Sequence, residues 1–154
     1  MRGQKRACRL NKFHPEYKSL PTMPLDRNRL IQALLNLARN ALQATGADGA
    51  VVFRTRVLTN TVVGHERYRL VASIEIEDDG PGVPDDIADK IFYPLVSGRD
   101  KGTGLGLSLA QDLVSRHHGL VEYQSEPGRT VFTVRLPIIT DLDLPAVTSG
   151  VEGG

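Results

Sequence analysis

The sequence predicts an α+β two-layer sandwich, with a mixed, mostly antiparallel sheet of about five strands packed on three helices. Three observations lead there. Apolar residues recur at three- and four-residue spacing over 26–45 and again after 105. Residues 67–78 alternate apolar and polar side chains, with Leu70, Ala72, Ile74 and Ile76 on one face. The stretches 119–125 and 130–137 read as two strands joined by a turn at Pro127-Gly128.

Taken in order, residues 1–19 form a basic leader or edge strand, with Arg2, Lys5, Arg6, Arg9 and Lys12. A solvated face suits such a charge run better than a nucleic-acid arm. His14 precedes Pro15, which disfavours helix, so it is expected on the surface. The main domain spans 20–137. Its first helix carries Leu30, Ala33, Leu34, Leu37, Ala41 and Ala44 on one stripe, with Asp26 as N-cap and Gly46 as stop. Strands follow at 49–58 and 67–78, joined by a hairpin loop around Asn60–His65. Pro84-Asp85-Asp86 opens a short helix to Ile91. Phe92–Lys101 has no period and is expected to be a mobile loop. The next helix begins inside Gly102-Thr-Gly-Leu-Gly106 and runs to about His117, where Gly119 ends it. The segment 138–154 is expected to be a disordered tail.

At 154 residues the chain suits one domain with a real core. A net charge of +1 gives no reason to invoke nucleic acid or an anionic membrane. No apolar run approaches the ~18 residues of a membrane span, and no signal-peptide core is visible. The single cysteine, Cys8, excludes an internal disulfide and a cysteine-rich metal site, which suits a reducing cytoplasm.

Three places carry chemistry. Asn36 and Asn40 lie four apart on one helical face, beside the apolar stripe. Amide oxygens suit Mg²⁺, an ion that keeps waters and binds substrate phosphates; two amides bonding neighbouring backbone is the plainer alternative. Asp78-Asp-Gly-Pro-Gly82 closes a strand with a carboxylate and two glycines, a crevice that a flat ring can enter. Asp78 could accept a hydrogen bond from an exocyclic amine such as adenine's, whereas Asp79 suits a solvated turn. Finally, the first free N–H groups of a glycine-led helix make an anion site, although a glycine run can also be only a flexible loop.

The order of these signals is more specific than any one of them. Asn-x-x-x-Asn-Ala on a helix, Asp-x-Gly-x-Gly after a strand, Phe-Tyr-Pro, then Gly-Thr-Gly-Leu-Gly-Leu opening a helix resembles the GHKL (Bergerat) ATP-binding fold. Sensor histidine kinases, type II topoisomerases, Hsp90 chaperones and MutL repair proteins share that fold. The resemblance covers about residues 20–137. Within it the chain looks like the catalytic domain of a bacterial sensor histidine kinase, and the wording Phe92–Arg99 and His65–Leu70 is similar to the NtrB-type kinases of nitrogen regulation.

The resemblance implies ATP and Mg²⁺ as cofactors. Asn40 matches the Mg²⁺-binding asparagine and Asn36 its neighbour facing the phosphates. Asp78 matches the adenine-reading aspartate, with Gly80 and Gly82 lining the base. Arg99 falls where relatives often carry a lysine facing the triphosphate. Gly102, Gly104 and Gly106 match the lid-end glycines, Thr103 stands among them, and Leu105 packs near the nucleotide. Thr130 resembles the last threonine beside the adenine.

Hydrolytic members of the superfamily resemble one another in placing a Glu four residues before the Mg²⁺ asparagine. Here that position is Asn36, a poor general base. Phosphoryl transfer to a protein histidine is therefore expected over ATP-driven clamping or a nucleotide-binding regulatory module without transfer. Neither His14 nor the helix-end pair His117 and His118 sits in a phosphoacceptor context. The chain thus reads as a catalytic fragment whose acceptor lies on a separate dimerisation domain. A PII-type signal protein and an NtrC-type response regulator are the further partners implied.

Overall fold

The computed structural model describes residues 13–18, 20–21, 23–93 and 106–139. Strand β1 (Phe13–Tyr17) is followed by helix α1 (Arg27–Thr45) and by strands β2 (Val51–Val63) and β3 (Glu66–Asp78). Helix α2 (Gly106–Ser115) precedes strands β4 (Leu120–Glu126) and β5 (Arg129–Pro137). The five strands form one sheet in the order β1-β2-β3-β5-β4, antiparallel except for β1, which runs parallel to β2. The expected mixed sheet is therefore present, with the edge strand of the N-terminal segment at one border.

Local chemistry explains the element ends. The Asp26 carboxylate caps α1 by accepting from the N–H groups of Asn28 and Arg29, both at 3.1 Å, and Gly46 leaves the helix with φ 65°. The turn between β2 and β3 is Gly64-His65, with Gly64 at φ 64° in the first central position, where two-residue hairpins accept glycine. The sequence suggested a longer loop from Asn60. Both strands instead continue to Val63 and Glu66, because Asn60 adopts φ 47° within the strand, a state asparagine tolerates. Pro127-Gly128 turns β4 into β5 with Gly128 at φ 88°.

The expected third helix is reduced to a single 3₁₀ turn, Ala88–Lys90. Its run from Pro84 is too short to repeat the hydrogen-bond ladder that makes helix formation cooperative. The end of α2 also differs in mechanism. His118, not glycine, takes the left-handed conformation (φ 60°), and the N–H of Gly119 donates to the carbonyl of Val114. Gly119 is required by packing: a Cβ there would lie 2.6 Å from the carbonyl oxygen of Arg135. His117 is structural. Its Nε2 accepts from the N–H of Asp26 at 3.1 Å and its Nδ1 lies 2.8 Å from the carbonyl of Leu113. The geometry calls for the tautomer with the proton on Nδ1, and it ties the start of α1 to the end of α2.

Both helices lie on one face of the sheet. α1 buries Ala33, Leu37 and Ala41, and α2 buries Ala110, Leu113 and Val114. Opposite them β3 and β5 present paired rows, Ala72 with Leu136, Ile74 with Val134 and Ile76 with Phe132. Each large side chain in these rows contributes about 1.5–3 kcal/mol by leaving water. The core extends past the expected domain end, since Ile138 is buried and its N–H donates to Leu70. The rest of the expected tail, from residue 140, and the basic stretch before residue 13 lie outside the described residues, as does the side chain of His14.

The other face of the sheet carries alternating charges. Glu16, Arg54, Glu77 and Arg129 pair in succession across β1, β2, β3 and β5. Burial alone would raise the Glu77 carboxyl, but hydrogen bonds from Arg54 and Arg129 outweigh it and hold its pKa below the usual value. A carboxylate depressed by folding stabilises the protein above its unfolded pKa, and that stability is lost as pH falls through the lower folded value. Glu77→Gln is thus expected to lower the unfolding midpoint at pH 7 and to remove part of its decline between roughly pH 5 and pH 2. Thermal melts across that window check it; parallel acid limbs in the two proteins would contradict it.

Candidate functional site

The rows that build the core become polar at one end. After Ile76 and Phe132 the next inward pair in register is Asp78 and Thr130, 1% and 3% exposed. A carboxylate so deeply placed must be held by donors. The Asp78 Oδ1 accepts from the N–H of Gly80 at 3.0 Å, which bends the chain out of the strand. Gly80 then lies against the last turn of α1, where a Cβ would sit 2.8 Å from the carbonyl oxygen of Ala44. Its own carbonyl accepts from the N–H of Gly128 at 2.9 Å. Gly82, at φ 90°, passes equally close to β4, where a Cβ would be 3.0 Å from the carbonyl of Glu126. The glycines are therefore demanded by close approach of backbone to backbone.

Asp79 points the other way. Its carboxylate accepts from the N–H of Ala50 at 3.0 Å and fastens the start of β2 to this loop. It is a turn residue, as its spacing suggested, with a structural partner.

Asn36, Asn40 and Ala44 succeed one another at four-residue intervals along α1, so they share a helix face. Both asparagines are half-buried and adjoin the buried Leu37 and Ala41. Since the carbonyl of Ala44 touches Gly80, the asparagine row leads along α1 from the Asp78 loop. The structure thus sets the Asp78–Gly82 loop against the last turn of α1, whose same face carries Asn40 and Asn36 one and two turns further along, and places Thr130 beside Asp78 in the sheet. Gly106 opens the described part of α2, and among the described residues a Cβ there would meet nothing within 4 Å. Arg99, Gly102, Thr103, Gly104 and Leu105 lie outside the described residues, as does the expected mobile loop beyond Tyr93.

Phe92, the first residue of that loop segment, is packed edge-on against Tyr123 and Phe132, with ring centroids 6.0 and 6.3 Å away. Tyr123 stacks on Phe132 and donates its phenol to the carbonyl of Ala88. Burial, with Asp89 nearby, pushes that phenol's pKa up and keeps it a donor. Tyr93, next in the chain, is exposed. Exposure rises along this segment, from buried Ile91 through half-buried Phe92 to exposed Tyr93.

Two residues at this site were not legible beforehand. Ser125, near the tip of the β4–β5 hairpin, accepts from the N–H of Val83 at 2.8 Å and shares a hydrogen bond with Thr130 at 2.7 Å. Tyr123 anchors the 3₁₀ turn. Neither belongs to a spacing pattern; only the pairing of β4 with β5 brings them to this end. Among the described residues no group of three or more His, Cys, Asp or Glu side chains could hold a metal ion. A metal here would need the amides of α1 and oxygens from a ligand. No described helix is long and apolar enough to cross a membrane.

A two-layer sandwich with a buried aspartate at a strand end, a glycine loop packed on the last helical turn, and an asparagine pair on that helix defines a class. Residues 25–140 match the family described as histidine kinase-, DNA gyrase B- and HSP90-like ATPases, and the chain belongs to that family. Among curated proteins it is similar to the sensory histidine kinase/phosphatase NtrB of Salmonella typhimurium, 51% identical over 121 residues. That match covers 78% of this chain and 35% of the relative, so the chain spans about a third of the curated relatives it matches. Among solved structures it resembles the catalytic domain of the histidine kinase ThkA (TM-score 0.68, 26% identity, 82% of this chain and 78% of that one). It also resembles full-length ShkA in complex with AMPPNP (TM-score 0.66, 28% identity, 84% of this chain and 26% of that one).

Proposed function

We propose that this chain is the ATP-binding catalytic domain of a two-component sensor histidine kinase of the NtrB type, positioning Mg·ATP for transfer of the γ-phosphoryl group to a histidine on a separate dimerisation domain. The observation that carries it is the nearly fully buried carboxylate of Asp78, which ends an apolar strand row and leads into two glycines packed so closely on neighbouring backbone that they admit no side chain. Such a site offers an acceptor for the exocyclic amine of adenine, with Gly80 and Gly82 lining the base and Thr130 beside it. The amide of Asn40 supplies a hard oxygen for Mg²⁺, which suits an ion completed by waters and phosphate oxygens. That ion, when bound, would neutralise phosphate charge.

What remains for the protein is positioning and electrostatics, the usual resources of phosphoryl-transfer enzymes. Asn36 stands next to Asn40 toward the phosphates and cannot act as a general base for water. The γ-phosphoryl group is thereby kept for a protein nucleophile. Arg99, Gly102, Thr103, Gly104, Leu105 and Gly106 are assigned to the triphosphate on the motif they form. Resemblance to NtrB supports a PII-type regulator and an NtrC-type response regulator as partners and the cytoplasm as location.

The test has two parts. Calorimetric titration of the chain with ATP is expected to give binding strengthened by Mg²⁺, and addition of a purified histidine-bearing dimerisation domain to give acid-labile phosphate on that domain. Steady ATP hydrolysis by the chain alone, with no transfer, would favour a clamp ATPase; nucleotide binding with neither would favour a regulatory module. Asn40→Ala is expected to abolish the Mg²⁺ enhancement while the thermal transition of the nucleotide-free chain persists. If the enhancement survived, the metal assignment would be wrong.

A further inference from the structure

Ser125 makes two hydrogen bonds although the residue as a whole is solvent-exposed. An exposed serine is normally satisfied by water, so two protein partners at 2.8 and 2.7 Å indicate a fixed orientation. Its partners lie in two different segments. Val83 belongs to the loop that follows Asp78-Asp-Gly-Pro-Gly82, and Thr130 is the cross-strand neighbour of Asp78 in the register of β3 with β5. The same hairpin tip also takes the Gly80 carbonyl on the N–H of Gly128, and the Ser125 hydroxyl lies 3.2 Å from where a Cβ of Gly82 would stand. The loop carrying the crevice glycines is thus docked on β4–β5 through Ser125.

We propose that Ser125 is a positioning residue that determines nucleobase specificity, by restricting the rotation of the Thr130 hydroxyl beside Asp78. The proposal rests on the ATP reading given above. A serine hydroxyl has one proton and two acceptor positions, and the Val83 N–H occupies one acceptor. The bond to Thr130, in which either oxygen can be the donor, then holds the Thr130 hydroxyl against Ser125 and restricts its rotation. Adenine presents an exocyclic donor next to a ring acceptor, and guanine presents the reverse. Asp78 accepts only, so it matches the adenine donor. A hydroxyl held in one orientation, acting directly or through a water, reads the neighbouring position; a freely rotating hydroxyl can donate or accept and so tolerates either base. Polar groups discriminate strongly only when the mismatched ligand leaves them unpaired.

The test compares ATP and GTP affinities of the full chain by calorimetry for the unmodified protein, Ser125→Ala and Ser125→Thr. Ser125→Ala is expected to weaken ATP roughly three- to tenfold and to narrow the ATP-to-GTP preference by about threefold or more. Ser125→Thr keeps the hydroxyl and is expected to restore the preference. An unchanged preference in Ser125→Ala would overturn the proposal, whether or not affinity falls equally for both nucleotides, because a merely structural serine would affect both alike. If Ser125→Ala lacks a cooperative thermal transition, Ser125→Cys, with its weaker donor and acceptor, takes its place with a narrowed preference expected. ATP binding absent from the unmodified chain would overturn the nucleotide reading and this proposal together; normal binding with an unaltered preference overturns the role of Ser125 alone.

Discussion

Replacing Asp78 with alanine is expected to weaken ATP binding ten- to a hundredfold while the protein stays folded. A charge-assisted hydrogen bond contributes about 1.5–3 kcal/mol, and about 1.4 kcal/mol corresponds to tenfold in affinity. The position makes the effect specific. Asp78 ends an otherwise apolar row and bonds within the described loop to the N–H of Gly80, so removing the carboxylate deletes the acceptor at the crevice and also loosens the loop that shapes it. Asp78→Asn separates these contributions. It retains an acceptor oxygen that can hold the Gly80 N–H but loses the charge, so its affinity should fall between the parent and the alanine variant. Calorimetric titration beside a thermal melt decides the matter. Unchanged ATP affinity in Asp78→Ala would refute the base-reading role.

The second large effect concerns stability. Phe132→Ala is expected to cost about 3–5 kcal/mol, the usual range for deleting a fully buried aromatic side chain. That is a large share of the ~5–15 kcal/mol that holds a typical domain folded. Phe132 is 0% exposed, pairs with Ile76 across the sheet, and carries both Tyr123 and Phe92 on its ring. Its removal therefore opens a cavity beneath the rings of Phe92 and Tyr123. Denaturant unfolding should show the midpoint shift with little change in slope, as expected when native packing alone is altered. A loss below about 1 kcal/mol would show that the aromatic cluster is not the centre of the core.

Both expectations depend on features of different legibility. The helix period of α1, its aspartate cap and its glycine stop are local signals, and the structure keeps all three. The alternation of β3 likewise places Ala72, Ile74 and Ile76 inward, and Asp78 with them, since side chains in a strand share a face at every second residue. Signals that depend on length were less secure. Pro84-Asp85-Asp86 starts a helix by composition, yet too few residues follow to sustain one, and only the 3₁₀ turn forms. Asn60 reads as loop chemistry, but long pairing on either side keeps it in the strand. Gly119 reads as a helix stop, whereas its absent side chain serves contact with β5 and His118 makes the turn.

The amino-acid order by itself determined which residues could carry chemistry: the asparagine pair, the aspartate with its two glycines, and the glycine-led helix. It could do so because each motif is contiguous and its meaning depends on backbone conformation within a few residues. Only the tertiary structure decided that β5 lies between β3 and β4, setting Thr130 opposite Asp78 and Ser125 against Val83. Those partners are distant in the chain, and their register follows from burying one shared apolar face, a choice that no local pattern contains.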